Sequence, residues 1–92
     1  MTQTPAQTDS LIAYPCDFPI KVMGRNVDGF AAAVAEVVLQ HVPDFDPASI
    51  ELRPSSGRNY LGCTCTVHVT SRSQLDALYR ALTAHPMVAV VL

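Results

Sequence analysis

R-P-S-S-G-R-N-Y-L-G-C-T-C-T-V-H-V-T, residues 53–70, is the stretch that decides the fold. From Tyr60 onward the side chains alternate: Leu61, Cys63, Cys65, Val67 and Val69 share one face, and Tyr60, Thr64, Thr66, His68 and Thr70 share the other. A period of two with one apolar and one hydroxyl-rich face predicts a half-buried β-strand. The segment before it, residues 54–59, is turn chemistry, with Gly57 and Asn59 suited to positive φ. Ahead of the turn, S-I-E-L-R at residues 49–53 reads as a short strand with Ile50 and Leu52 inward and Glu51 outward. Two strands joined by so short a loop pair as an antiparallel hairpin.

The flanks of this hairpin repeat one pattern. On the N-terminal side, F-P-I-K-V-M-G at residues 18–24 alternates Phe18, Ile20 and Val22 against Lys21 and Met23, and Gly24 ends it. With Asn26 or Asp28 as N-cap, Phe30, Ala33, Val34, Val37, Val38 and His41 then recur at helical spacing until Pro43. On the C-terminal side, S-R-S-Q at residues 71–74 is a capping box, opening a helix with Leu75, Leu78, Tyr79 and Leu82 as its apolar stripe. M-V-A-V-V-L at residues 87–92 closes as a fourth strand. Right-handed crossovers over each β-α-β unit then require an α+β, ferredoxin-like βαββαβ sandwich. Its four-stranded antiparallel sheet has the order 4-1-3-2, and both helices lie on one face. Residues 17–92 form this single domain, and residues 1–16 read as a mobile tail in which Leu11, Ile12 and Tyr14 are the apolar groups able to dock.

The totals narrow the function. A chain of 92 residues, 49% hydrophobic and 15% charged, has the composition of one folded domain. Its net charge is −2, so no basic excess points to nucleic acid. No apolar run reaches the ~20 residues of a membrane span. The start M-T-Q-T-P-A-Q-T-D-S has neither the basic segment nor the apolar core of a secretory signal, which gives the expectation of a cytoplasmic, reduced protein. Three cysteines fit that compartment, and Cys63 and Cys65, roughly 6.5 Å apart along a strand, are expected to be free core thiols.

Neither a cofactor nor a metal is expected. Cys16, Cys63, Cys65, His41, His68 and His85 scatter over different elements, without the ligand spacing of a zinc or iron-sulfur centre. No Ser or Cys is placed beside a histidine as nucleophilic catalysis needs. Asp44 and Asp46 read as a solvated turn. These features describe a protein that is not an enzyme. An acylphosphatase-like hydrolase shares the fold, and Arg25 is present, but the loop spacing does not match.

Two places can bind something. By alternation the uncovered sheet face carries Lys21, Met23, Glu51, Arg53, Tyr60, Thr64, Thr66 and His68, with Met87, Ala89 and Val91 from the last strand. Of these, Lys21, Met23, Arg53, Tyr60, Thr64, Thr66 and His68 form a candidate interaction face; they lack the aromatic pairs with which this fold stacks RNA bases. The loop G-R-N-V-D-G before the first helix offers Gly24, Arg25, Asn26 and Gly29 as ligand-binding candidates, since glycines admit backbone amides to an anion at a helix N-terminus. Ordinary capping with a packed Phe30 is the alternative there. The turn at 54–59, with its serines, Gly57 and Arg58, also resembles an anion cradle, although it leads into a strand rather than a helix.

F-P-I-K-V-M-G, R-P-S-S-G-R-N-Y and the closing V-V-L together resemble the YbeD-like family of small bacterial cytoplasmic proteins, over about residues 14–92. The resemblance implies a ferredoxin-like fold akin to the ACT domains that sense small molecules and regulate amino-acid enzymes. The N-V-D-G-F at residues 26–30 is loosely similar to the ACT effector loop, with Asp28 where proline is common. Genes of the family often lie beside lipoate-attachment genes, which implies a partner enzyme in lipoate or amino-acid metabolism. A homodimer is a further expectation. The reading is a non-enzymatic regulatory module that senses a small anionic metabolite or binds a partner enzyme. An adaptor working through the open sheet face or the edge strand, with no small ligand, is the alternative.

Overall fold

The computed structural model of the protein describes residues 13–92. The elements run β1 (Cys16–Arg25), α1 (Phe30–His41), a 3-10 turn (Pro47–Ser49), β2 (Glu51–Pro54), β3 (Tyr60–Val69), α2 (Arg72–Thr83) and β4 (Val88–Val91). The sheet has the order β2-β3-β1-β4 with every pairing antiparallel, which is the ferredoxin-like order expected. Both helices cover one face. Between them and the sheet lie Phe30, Val34 and Val38 from α1, Leu75, Leu78 and Leu82 from α2, and Ile20, Val22, Cys63, Cys65, Val67 and Val69 from the strands. All are buried, so the alternation in β3 is the sheet's inner and outer face.

β1 begins at Cys16, and Tyr14 and Cys16 pack against this core. The boundary placed at residue 16 therefore falls within packed chain, because an aromatic ring beside an apolar core gains by burial. Of the rest of the expected tail, residues 1–12, with Leu11 and Ile12, lie outside the described residues.

Several local expectations are corrected. The α1 N-cap is Gly29, with φ of 86° and no side-chain cap, not Asn26 or Asp28. Only glycine takes that left-handed conformation without strain. In the hairpin turn the left-handed residue is Arg58, with φ of 61°, while Gly57 and Asn59 are not in that region. The Ser49–Ile50 part of the expected second strand is given over to the 3-10 turn, capped by Asp46 Oδ1, which accepts from the Ala48 amide at 3.0 Å. Leu52 faces the helix side by register, opposite Cys63, yet is 54% exposed, because β2 is the sheet's outer strand.

β4 carries a bulge. Val90 pairs with Met23 but Val88 with Gly24, so Ala89 is an extra residue that shifts the alternation. Val90, not Val91, therefore stands on the open face. Val91 lies opposite the buried Val22, and Met87, Val88 and Val91 pack against the core.

The capping box at α2 forms with one change of partner. Ser71 Oγ accepts from the Gln74 amide at 3.2 Å, but Gln74 Oε1 accepts from the Thr70 amide at 2.7 Å rather than from that of Ser71. Gln74 Nε2 donates to the His41 carbonyl at 2.9 Å, so one side chain joins the end of α1 to the start of α2.

Candidate functional site

Sheet register builds the site. On the open face β3 is flanked by β2 and β1, and side chains in line across the sheet form rungs. Arg53, Gly62, Met23 and Val90 make one rung. Glu51, Thr64 and Lys21 make the next, where Leu92 exchanges both backbone hydrogen bonds with Lys21. Tyr60 and Arg25 face each other on the rung at the opposite side of Gly62. With strands ~4.8 Å apart and two residues spanning ~6.6 Å, Lys21, Arg25 and Arg53 surround Gly62 within reach of their long stems. Gly62 contributes no side chain, and a depression of about 530 Å³ lies there, lined among others by Lys21, Met23, Arg53, Gly62, Thr64 and Leu92. Glu51 also lines it and is its acidic group.

The loops add a further cation. The Asn26 amide donates to the Asn59 carbonyl at 2.9 Å, and Asn26 Nδ2 donates to the Arg58 carbonyl at 3.0 Å. This pins the loop before α1 to the hairpin turn, so the two loops singled out from sequence are neighbours. In the turn, Ser55 Oγ accepts from the Tyr60 amide at 3.1 Å, and the Ser55 carbonyl accepts from the Arg58 amide at 2.9 Å. Four of the chain's six basic residues, Lys21, Arg25, Arg53 and Arg58, thus gather at one end of the sheet. Among the described residues none of the four is in an ion pair.

The loop candidates separate. Arg25 turns to the open face opposite Tyr60. Gly24 is buried, and a Cβ there would overlap the Phe30 ring and the Met87 carbonyl oxygen, so its glycine serves packing. Gly29 serves the start of the helix, and the Asn26 side chain is engaged by the hairpin. The interaction-face residues divide as well. Lys21, Met23, Arg53, Tyr60 and Thr64 stand at the cationic end, whereas Thr66 and His68 lie toward the other end. There His68 Nδ1 donates to Asp17 Oδ1 at 3.0 Å in an exposed pair. Sequence reasoning missed Gly62; its place among outward-facing residues was the available signal, since an inner-strand glycine often marks a close approach.

The cysteines stand apart from this face. Cys63 and Cys65 are buried free thiols on the core side. Burial pushes the Cys63 thiol up, and burial together with the neighbouring Cys63 pushes Cys65 up to about 12. Neither is an activated nucleophile. No group of three or more His, Cys, Asp and Glu able to hold a metal occurs among the described residues, and none of their helices is long and apolar enough to cross a membrane.

This architecture defines a small ferredoxin-like domain with one face of its sheet open. Two solved structures share it: protein HP0495 from H. pylori, at a TM-score of 0.69 and 14% identity over 100% of this chain and 98% of that one, and the ACT domain from the GTP pyrophosphokinase of Chlorobium tepidum, at 0.62 and 20% over 83% and 84%. The chain belongs to the family described as protein of unknown function (DUF493), whose model matches residues 9–92. It is 66% identical to a UPF0250 protein of Bordetella pertussis, over 91% of this chain and 92% of that protein. A UPF0250 protein of Nitrosomonas europaea is 52% identical over 91% and 97%. The YbeD-like resemblance is thereby borne out.

Proposed function

We propose that the protein is a non-enzymatic regulatory module that senses a small anionic metabolite in the cytoplasm and passes the signal to a partner enzyme. One observation carries this reading. Four basic residues, none in an ion pair among the described residues, gather at one end of the sheet, and two of them, Lys21 and Arg53, line a depression there, in a chain whose net charge is −2. Clustering like charge is unfavourable by itself, and an anion relieves it. The likeness to an ACT domain supplies the fold for such a role and not the ligand. An enzyme of lipoate or amino-acid metabolism is the partner this reading favours.

Amide chemical-shift mapping with a panel of amino acids, carboxylates and phosphorylated metabolites tests it. Saturable shifts at Arg25, Arg53, Arg58 and Gly62 are expected. A spectrum unchanged by the whole panel at millimolar concentration contradicts the reading.

A second reading rests on a different observation. Tyr60, Val90 and Leu92 are 47%, 46% and 65% exposed on or beside the same face, and such apolar surface suits a protein partner, as in an adaptor without a small ligand. Tyr60→Ala and Thr64→Arg distinguish it: retention of a captured partner by both variants removes the sheet face from consideration.

A further inference from the structure

Gly62 is the only residue of the open rung Arg53-Gly62-Met23-Val90 that carries no side chain. Its backbone does not demand glycine. Gly62 is outside the positive-φ region, and a Cβ there would meet only the Arg53 carbonyl oxygen at 3.5 Å and Met23 Cγ at 3.9 Å, which are ordinary contacts. Gly24, by contrast, cannot take a Cβ at all. The glycine at 62 is thus not explained by packing, and what it leaves is the floor of the depression.

The walls of that depression differ in chemistry. Arg53 and Lys21 supply cations on opposite sides, Arg25 stands one rung further along β1, and the Thr64 hydroxyl lies between Lys21 and Glu51. Met23 and Leu92 supply apolar surface on the β1 and β4 side. A volume of about 530 Å³ falls within the ~300–1,000 Å³ of small-molecule sites. Glu51 on the same lining argues against a polyanion, because a second and third negative group would face it.

We infer that the depression over Gly62 binds a small amphipathic oxyanion, its carboxylate or phosphate head held between Arg53 and Lys21 and its short apolar body laid along Met23 and Leu92. Arginine grips either head through paired N–H donors, and lysine adds a point charge. The flexible Met23 side chain adapts to the body of the ligand. This deepens the regulatory reading and rests on it, fixing the class of metabolite sensed.

The probes are octanoate, hexyl phosphate and the uncharged octanamide, followed by amide shifts of the full chain. Octanoate, hexyl phosphate or both are expected to move Lys21, Gly62 and Thr64 saturably, and which of the two binds tells whether the head is carboxylate, phosphate or either. Arg53→Ala is expected to weaken binding about tenfold, the loss of one charge-assisted contact. Gly62→Val, a β-branched residue suited to a strand, should fill the floor and abolish the shifts while the protein stays folded, and Gly62→Ala should weaken them if valine disturbs the sheet. Octanamide is expected to leave the spectrum unchanged. Equal shifts with octanamide, or binding indifferent to Arg53→Ala and both Gly62 variants, would overturn the inference. Failure of both anions overturns it too; if other members of the metabolite panel still move the cationic end, the regulatory reading stands, and if none does, both fall.

Discussion

The Phe30 ring occupies the space that a side chain at Gly24 would need. This relationship ties the first residue of α1 to the end of β1 and closes the core beneath the loop. Gly24→Ala must displace either that ring or the Met87 carbonyl, and is expected to cost roughly 1–3 kcal/mol, the usual penalty of overpacking. Gly62→Ala, meeting only ordinary contacts, is expected to be neutral or slightly stabilising. Urea midpoints of the two variants check the contrast, and equal losses would contradict it.

Asn26 is the clasp between the two loops, through Nδ2 to the Arg58 carbonyl. Asn26→Ala is expected to cost about 0.5–1.5 kcal/mol, at the low end because the bond is exposed. Arg58→Gly acts oppositely on stability, relieving a left-handed residue worth ~1 kcal/mol while removing one cation from the site. Denaturation of the pair shows whether the hairpin conformation and the clasp are separable.

The Gln74 side chain makes three hydrogen bonds, Oε1 accepting from the Thr70 amide and hydroxyl and Nε2 donating to the His41 carbonyl, and Gln74→Ala is expected to lower stability by about 1–2 kcal/mol. Gln74→Glu keeps the acceptor for the Thr70 amide but turns a carboxylate oxygen toward the His41 carbonyl, so it should recover only part of the loss. Full recovery would mean that the link to His41 contributes nothing.

The buried thiols set the alkaline behaviour. Each ionises more easily once unfolded, where its value is near the ordinary 9.0, than when folded. The protons they hold therefore favour the fold. Their contribution to stability is level below pH 9.0 and falls as pH rises from there toward about 12, the folded value of Cys65. Cys65→Ser or Cys65→Ala should flatten that decline. In the native protein near neutral pH, alkylation followed by mass spectrometry should modify the partly exposed Cys16, and Cys63 and Cys65 only after denaturant is added.

The alternation of β3 and the capping box at Ser71 were enough to read the order of elements and the sheet, because both depend on spacing within one segment. What failed to show depends on contacts between segments. The bulge at Ala89 moves Val90 to the open face through pairing with β1, and no local periodicity in V-A-V-V announces it. Leu52 has the inward register of a core residue, but its exposure follows from the position of β2 at the sheet edge. Of the candidate site, Lys21, Arg53 and Thr64 are legible as open-face residues and Arg25 as a loop residue, whereas Gly62 is not. Their assembly around Gly62 requires the register of three strands.

The central claim is that the cationic end of the open face reads an anion, and the most direct measurement is a paired calorimetric titration of the wild-type chain and an Arg25→Ala/Arg53→Ala double variant with the anionic panel. The account predicts saturable binding by the wild type that weakens as salt is raised and is lost in the double variant, with the fold unchanged. Binding of equal strength in both chains, or in neither, would contradict it.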